Sequence, residues 1–109
     1  MKHILFKLEG CPLSTLNDEE HIKFCLLHAG KAAYSKVLKV ETQKFVPQGV
    51  TGFALLADSH ISIHTWPETG IAYCDIFTCG DHCKPENAVE YLSKWLSSTN
   101  TKSECYERI

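Results

Sequence analysis

The chain has 109 residues with 11 Lys and Arg against 13 Asp and Glu, so its formal net charge is −2, and a chain of this length is expected to form one domain. Without excess positive charge, binding to nucleic acid or to an anionic membrane surface has no electrostatic support. The apolar runs are too short for a spanning helix and the N-terminal residues too charged for a signal peptide. We therefore expect a cytoplasmic protein.

Apolar periodicity predicts seven regular elements before the C-terminal tail. Strands are expected at residues 3–8, 37–45, 50–57, 59–65 and 71–78, and helices at about 18–34 and from Pro85 to about 97. The tail is polar, and we expect it to be frayed, with a short edge strand near Cys105. This order predicts an α+β fold, a two-layer α/β sandwich in which an antiparallel sheet carries two helices on one face.

Cysteines make up six of the residues: Cys11, Cys25, Cys74, Cys79, Cys83 and Cys105. Because no export signal precedes them, we expect reduced thiols rather than disulfides. Cys79, His82 and Cys83 are close in sequence, but no CxxC pair occurs and a fourth ligand is missing. The spacing therefore predicts no metal site.

The hairpin formed by the predicted strands at residues 59–65 and 71–78 predicts a contact between Cys79 and the segment before the first of these strands. If Trp66 and Ile71 flank its loop, paired positions sum to 137, so Cys79 lies opposite Asp58 and beside the Asp58–Ser59 peptide bond. A thiol beside a serine, with histidines nearby, is a candidate nucleophile and acid–base set. Strand histidines and half-buried cysteines are, however, more often structural.

A longer motif surrounds this pair. Residues 57–68, ADSHISIHTWPE, followed by residues 75–80, DIFTCG, closely resemble the signature of the bacterial and archaeal S-adenosylmethionine decarboxylase proenzymes. Further matches extend the resemblance over roughly residues 43–96, whereas the first 40 residues match only in layout.

The resemblance implies an enzyme that makes its own pyruvoyl cofactor from Ser59. The serine hydroxyl attacks the carbonyl of Asp58, the resulting ester undergoes β-elimination, and the dehydroalanine hydrolyses to a pyruvoyl group. The products would be a β chain of residues 1–58 and an α chain of residues 59–109. The pyruvoyl ketone forms a Schiff base with the substrate amine and accepts the electrons released as CO₂ departs.

The resemblance also implies roles for five other residues. His64 matches the base for the elimination, Thr51 stands where the family commonly has a serine that assists processing, and Cys79 matches the proton donor. Phe45 matches the aromatic that stacks on adenine, and Glu68 the carboxylate that holds the ribose hydroxyls. Without the motif, Phe45, Thr51 and Glu68 would be interpreted as a core residue, a strand residue and a turn acid.

Two positions depart from the family pattern. Asp58 stands where glutamate is usual; the attacked backbone carbonyl is unchanged, and the effect of the shorter acid on the rate of processing stays open at this point. Thr51 replaces serine and keeps the hydroxyl.

Ser59 and His64 are five residues apart, so on a straight strand they point to opposite faces, about 16 Å apart. Either a bulge bends the chain near His60, or His64 serves Ser59 of another protomer. The resemblance favours a homodimer whose sites combine Ser59 and Cys79 of one protomer with Phe45, Thr51, His64 and Glu68 of the other.

The leading interpretation is conversion of S-adenosylmethionine to S-adenosylmethioninamine and CO₂ for spermidine biosynthesis. A pyruvoyl-dependent arginine or ornithine decarboxylase is an alternative within the same chemistry, and it would need no platform for adenine. A further alternative is an unprocessed, non-catalytic homologue that acts as a binding or regulatory subunit, with Asp58 as the sign of lost processing.

Overall fold

One antiparallel sheet of six strands forms the centre of the molecule. The computed structural model describes residues 1–109. The strands are β1 (Lys2–Glu9), β2 (Val37–Lys44), β3 (Val50–Leu56), β4 (His60–Trp66), β5 (Ile71–Thr78) and β6 (Asn100–Glu107). The helices are α1 (Leu13–Leu16), α2 (Glu19–Ala32) and α3 (Pro85–Trp95). The strand order is β2-β3-β4-β5-β1-β6.

The predicted fold class is confirmed, because α2 and α3 pack on one face of an antiparallel sheet. Residues that alternate along the strands line the space beneath these helices. In β4, Ile61 and Ile63 are fully buried, whereas His60, Ser62 and His64 lie on the opposite face. The buried apolar side chains form one core cluster of 22 residues between the sheet and the helices.

The opposite sheet face, which we call the open face, carries no helix. Large apolar side chains on this face are 42–49% exposed: Leu5, Phe53, Leu55, Trp66, Tyr73 and Tyr106. Contiguous exposed apolar surface of this kind marks an interaction site more often than an ordinary solvated face.

The prediction of a frayed C-terminal tail is wrong, whereas the edge strand expected near Cys105 is confirmed and is longer than expected. Residues 100–107 form β6, which pairs with β1 along its whole length, from Glu9↔Asn100 to Lys2↔Glu107. Its polar side chains gave no apolar pattern, because an edge strand gains its backbone hydrogen bonds without burying side chains. The short helix α1 was also not predicted, since four residues are too few for a helical period.

No helix of the structure is long and apolar enough to cross a bilayer.

Thr65 connects three elements beneath the sheet. Its hydroxyl donates to the carbonyl oxygen of Leu16 at 2.9 Å and accepts the N–H of Val50 at 2.8 Å. Because Thr65 is only 6% exposed, water cannot readily replace either partner.

We expect Thr65→Val to lower the free energy of unfolding by about 2 kcal/mol or more, because it leaves two buried backbone groups without partners. Urea denaturation measures this change. Thr69→Val is the matched control, since the exposed Thr69 hydroxyl donates only to the Trp66 carbonyl at 3.2 Å. Equal stability of the two variants would contradict the structural role of Thr65.

Candidate active site

Ser59 lies in the tight turn that joins β3 to β4. The Leu56 N–H donates to the Ser59 carbonyl at 3.0 Å, and the Ala57 N–H donates to the Lys36 carbonyl at 3.0 Å. These bonds tie the turn to the end of β3 and to the segment before β2. Asp58 is exposed at the turn, and Ser59 is half-buried.

Cys79 lies beside this turn because β4 and β5 pair without interruption, from Trp66↔Ile71 to His60↔Phe77. The Cys79 N–H donates to Ser59 Oγ at 3.2 Å, and the Cys79 thiol donates to the Asp58 carbonyl at 3.4 Å. The predicted contact between Cys79 and the Asp58–Ser59 peptide is therefore confirmed.

This geometry holds the two groups that an N-to-O acyl shift joins. Ser59 Oγ accepts one hydrogen bond from the backbone, and the Asp58 carbonyl accepts one from the thiol. Restricting a nucleophile and its target in this way lowers the entropy cost of bringing them together. The thiol bond is the weaker of the two, since S–H is a poor donor.

The thiols differ in accessibility. Cys11, Cys25 and Cys74 are buried; burial raises the pKa of Cys25 to about 12, with Asp18 adding to it, and also raises the pKa of Cys11 and Cys74. These three thiols stay neutral in the core. Cys79 is instead half-buried at the edge of a cleft, where it can meet a ligand.

The Ser59 cleft is small, about 80 Å³, and its walls include Ser35, His82 and Cys83. Cys83 Sγ lies 3.5 Å from His82 Nε2 and 3.5 Å from Ser35 Oγ. The sequence suggested no part for Ser35, because the segment before β2 meets the segment after β5 only through the fold. This volume is well below the 300 Å³ or so that holds a drug-sized ligand.

Four of the other predicted site residues line a second cleft of about 240 Å³: Phe45, Thr51, His64 and Glu68. Thr51 and His64 are a cross-strand pair, and Thr51 Oγ1 lies 3.0 Å from His64 Nδ1. Trp66 lines the same cleft, although the sequence suggested no role for it. Its position follows from the alternation in β4, which places it on the same face as His64.

Within one protomer, Ser59 and His64 do not meet. β4 keeps continuous registers with both β3 and β5, so no bulge bends it between His60 and Trp66. Ser59 precedes this straight strand on one face, and His64 lies near its far end on the other. The structure thus brings Asp58, Ser59 and Cys79 into one cleft and Phe45, Thr51, His64 and Glu68 into another.

His60, next to Ser59, belongs to a polar cluster on the open face. Asp75 Oδ2 lies 2.8 Å from His60 Nε2 and 2.7 Å from His3 Nε2, and Asp75 Oδ1 accepts the Ser62 hydroxyl. Burial alone raises the pKa of Asp75, but the bonds from Ser62, His3 and His60 outweigh it, so the pKa lies below its ordinary value. The carboxylate is therefore held in its charged form.

Comparison with known proteins assigns the family. The sequence model of the S-adenosylmethionine decarboxylase family matches residues 2–109. The chain belongs to the S-adenosylmethionine decarboxylase family. The family match includes the first 40 residues, for which the sequence motifs indicated only a similar layout.

Curated members of the S-adenosylmethionine decarboxylase family align with nearly the whole chain. The S-adenosylmethionine decarboxylase proenzyme of Methanococcus maripaludis is 48% identical over 101 residues, which is 93% of this chain and 83% of the relative. The proenzyme of a Synechococcus species is 50% identical over 99 residues, covering 91% of this chain and 77% of the relative.

A solved structure supports the same family assignment. The adenosylmethionine decarboxylase of Aquifex aeolicus superposes with a TM-score of 0.90 at 38% identity, covering 98% of this chain and 88% of that chain. The α/β sandwich fold is therefore shared with a member of the S-adenosylmethionine decarboxylase family.

Proposed function

We propose that the chain is a self-processing, pyruvoyl-dependent decarboxylase that converts S-adenosylmethionine to S-adenosylmethioninamine and CO₂ for spermidine biosynthesis. The observation that carries this proposal is the contact of Cys79 with Ser59 Oγ and the Asp58 carbonyl, at 3.2 and 3.4 Å. Membership in the S-adenosylmethionine decarboxylase family supports the choice of substrate.

Processing would cut the chain between Asp58 and Ser59, and the fold supports such a cut. Residues 1–58 contain β1, β2 and β3, and residues 59–109 contain β4, β5 and β6. In the sheet order β2-β3-β4-β5-β1-β6, β4 and β5 of the second piece lie between β3 and β1 of the first, and β1 lies between β5 and β6 of the second. Both pieces would stay in one domain, because each completes the sheet of the other.

The residues around Ser59 fit a pyruvoyl group. When formed, this group supplies a ketone that condenses with the substrate amine and takes up the electron pair released with CO₂. The Cys79 thiol is placed at the same peptide, where it would return the proton that replaces the carboxyl group. His64, whose Nδ1 lies 3.0 Å from Thr51 Oγ1, would act as the base in processing, and the Thr51 hydroxyl would assist it.

Substrate recognition is assigned to the second cleft. Phe45 is 47% exposed, so its ring face is free to stack on adenine. Glu68 is exposed on the turn that follows β4 and would accept hydrogen bonds from the ribose hydroxyls. A free amino acid such as arginine or ornithine would use neither group.

We further propose a homodimer with two shared sites. Ser59 and His64 are separated by the straight strand β4, so a site that needs both takes them from two protomers. The apolar open face supplies a surface for a second copy, and a two-fold axis creates two identical composite sites. Because the chemistry needs a free thiol at Cys79, the cytoplasm is the proposed location.

Ser59→Ala should leave the chain in one piece, because the attacking hydroxyl is gone. Cys79→Ala should still cleave, because the backbone N–H that holds Ser59 remains, but its turnover should fall about 100-fold or more without the proton donor. Intact-mass spectrometry under denaturing conditions and a decarboxylation assay measure the two effects.

Cys105→Ser, at an exposed cysteine on β6, is the control and should cleave and turn over normally. Loss of cleavage in both Ser59→Ala and Cys79→Ala would contradict the separate roles. A wild-type protein that stays full-length would favour the non-catalytic homologue.

The substrate is identified by CO₂ release from carboxyl-labelled S-adenosylmethionine, arginine and ornithine. We expect release from S-adenosylmethionine alone, and Phe45→Ala should raise its KM about 10-fold by removing a stacking contact. Phe24→Ala is the matched control, since Phe24 on α2 is 45% exposed but far from the cleft in sequence and fold. Release from arginine or ornithine instead would overturn the assignment.

Mixed dimers test the shared site. Glu68→Gln and Cys79→Ala should each be nearly inactive, but subunit exchange between them should restore about a quarter of wild-type activity, because half of the dimers then contain one intact site of two. Exchange between Glu68→Gln and Phe45→Ala is the control and should give no activity above the mean of the two separate variants, since both residues belong to the same half-site. Absence of recovery in the first mixture would contradict the composite arrangement.

A further inference from the structure

A cluster of three metal-ligating side chains lies on the open face, outside the two clefts. His3 on β1 and His60 on β4 pair with Phe77 of β5 from opposite sides. Asp75 lies two residues before Phe77 on β5 and therefore points to the same face. Three neighbouring strands thus bring two imidazoles and one carboxylate close together.

The ligand atoms are already close together. His3 Nε2 and His60 Nε2 lie 2.7 and 2.8 Å from Asp75 Oδ2, and the three atoms are within 4.8 Å of one another. A tetrahedral cation with bonds of about 2.0–2.2 Å needs its ligand atoms about 3.3–3.6 Å apart, so each imidazole must move from Asp75 by less than about 1 Å. Ser62 donates to the other oxygen of Asp75 and so fixes the carboxylate orientation.

The surroundings favour defined coordination. The side chains of His3 and Asp75 are 21% and 19% exposed, and that of His60 is 41% exposed. The Phe77 ring packs against both imidazoles, with centroids 5.6 and 6.2 Å away, and shields one side from water. The positively charged Arg108 guanidinium lies 4.9 Å from the Phe77 centroid. Because this charge offsets the negative charge of Asp75, a cation must be held by short coordinate bonds rather than by the overall charge of the surroundings.

We propose that His3, His60 and Asp75 form a binding site for a divalent transition-metal cation of the Zn²⁺ class. Two imidazoles and a carboxylate suit Zn²⁺ and its neighbours better than Mg²⁺ or Ca²⁺, which prefer oxygen ligands. On binding, each neutral imidazole carries its proton on Nδ1 and donates the Nε2 lone pair, and water completes the coordination. No redox change is involved.

The test is a Co²⁺ titration of purified, chelator-treated protein, followed by visible absorption and calorimetry. We expect one Co²⁺ per protomer, displaced by Zn²⁺, with no intense thiolate-to-cobalt band. His3→Gln, which keeps a hydrogen-bond donor to Asp75, should weaken binding by on the order of 100-fold. Ser62→Ala keeps all three ligands and should weaken binding about 10-fold.

Two controls locate the metal. His28→Ala removes a histidine of α2 and Cys83→Ser removes the thiol beside His82; both should bind as the wild type does. Circular dichroism verifies that each variant is folded. Absence of saturable binding would overturn the proposal and leave the cluster as a purely hydrogen-bonded group. Binding that is lost in Cys83→Ser but kept in His3→Gln would also overturn it.

Discussion

The register between β4 and β5 determines where the chemistry of this protein can occur. The turn after Trp66 closes with bonds from the Thr69 and Gly70 N–H groups to the carbonyls of Trp66 and Pro67, at 3.1 and 3.3 Å. Gly70 has φ +71°, and a Cβ there would lie 3.1 Å from the Cys11 carbonyl. Glycine is needed at this turn because an L side chain would be both strained and crowded.

The core protects this register. A slip of one residue would turn Ile61 and Ile63, now fully buried, to the open face. Each side chain contributes about 1.5–3 kcal/mol through burial, so a slipped register is strongly disfavoured. The contact of Cys79 with Ser59 is thus maintained by apolar residues that have no part in the chemistry. The geometry of the site therefore depends on packing in the core.

Because β4 is straight, it keeps the remaining site residues apart from Ser59 and Cys79. It separates the cleft of Ser59 and Cys79 from the cleft of His64, and each cleft alone is smaller than a nucleoside ligand requires. The open face provides apolar surface for a second copy, yet it also contains a charged carboxylate. Asp75 is tolerated there because three donors compensate for its lost hydration.

The sequence by itself determined the elements with a clear apolar period and the pairings made through tight turns. Cys79 could be placed beside Ser59 because a single short hairpin links them, and turn geometry sets such a register locally. Only the tertiary structure decided that β6 pairs with β1, that β1 lies beside β5, and that His3 therefore meets Asp75. These contacts join residues far apart in the chain, and they depend on which strand edges remain free once the helices cover the core.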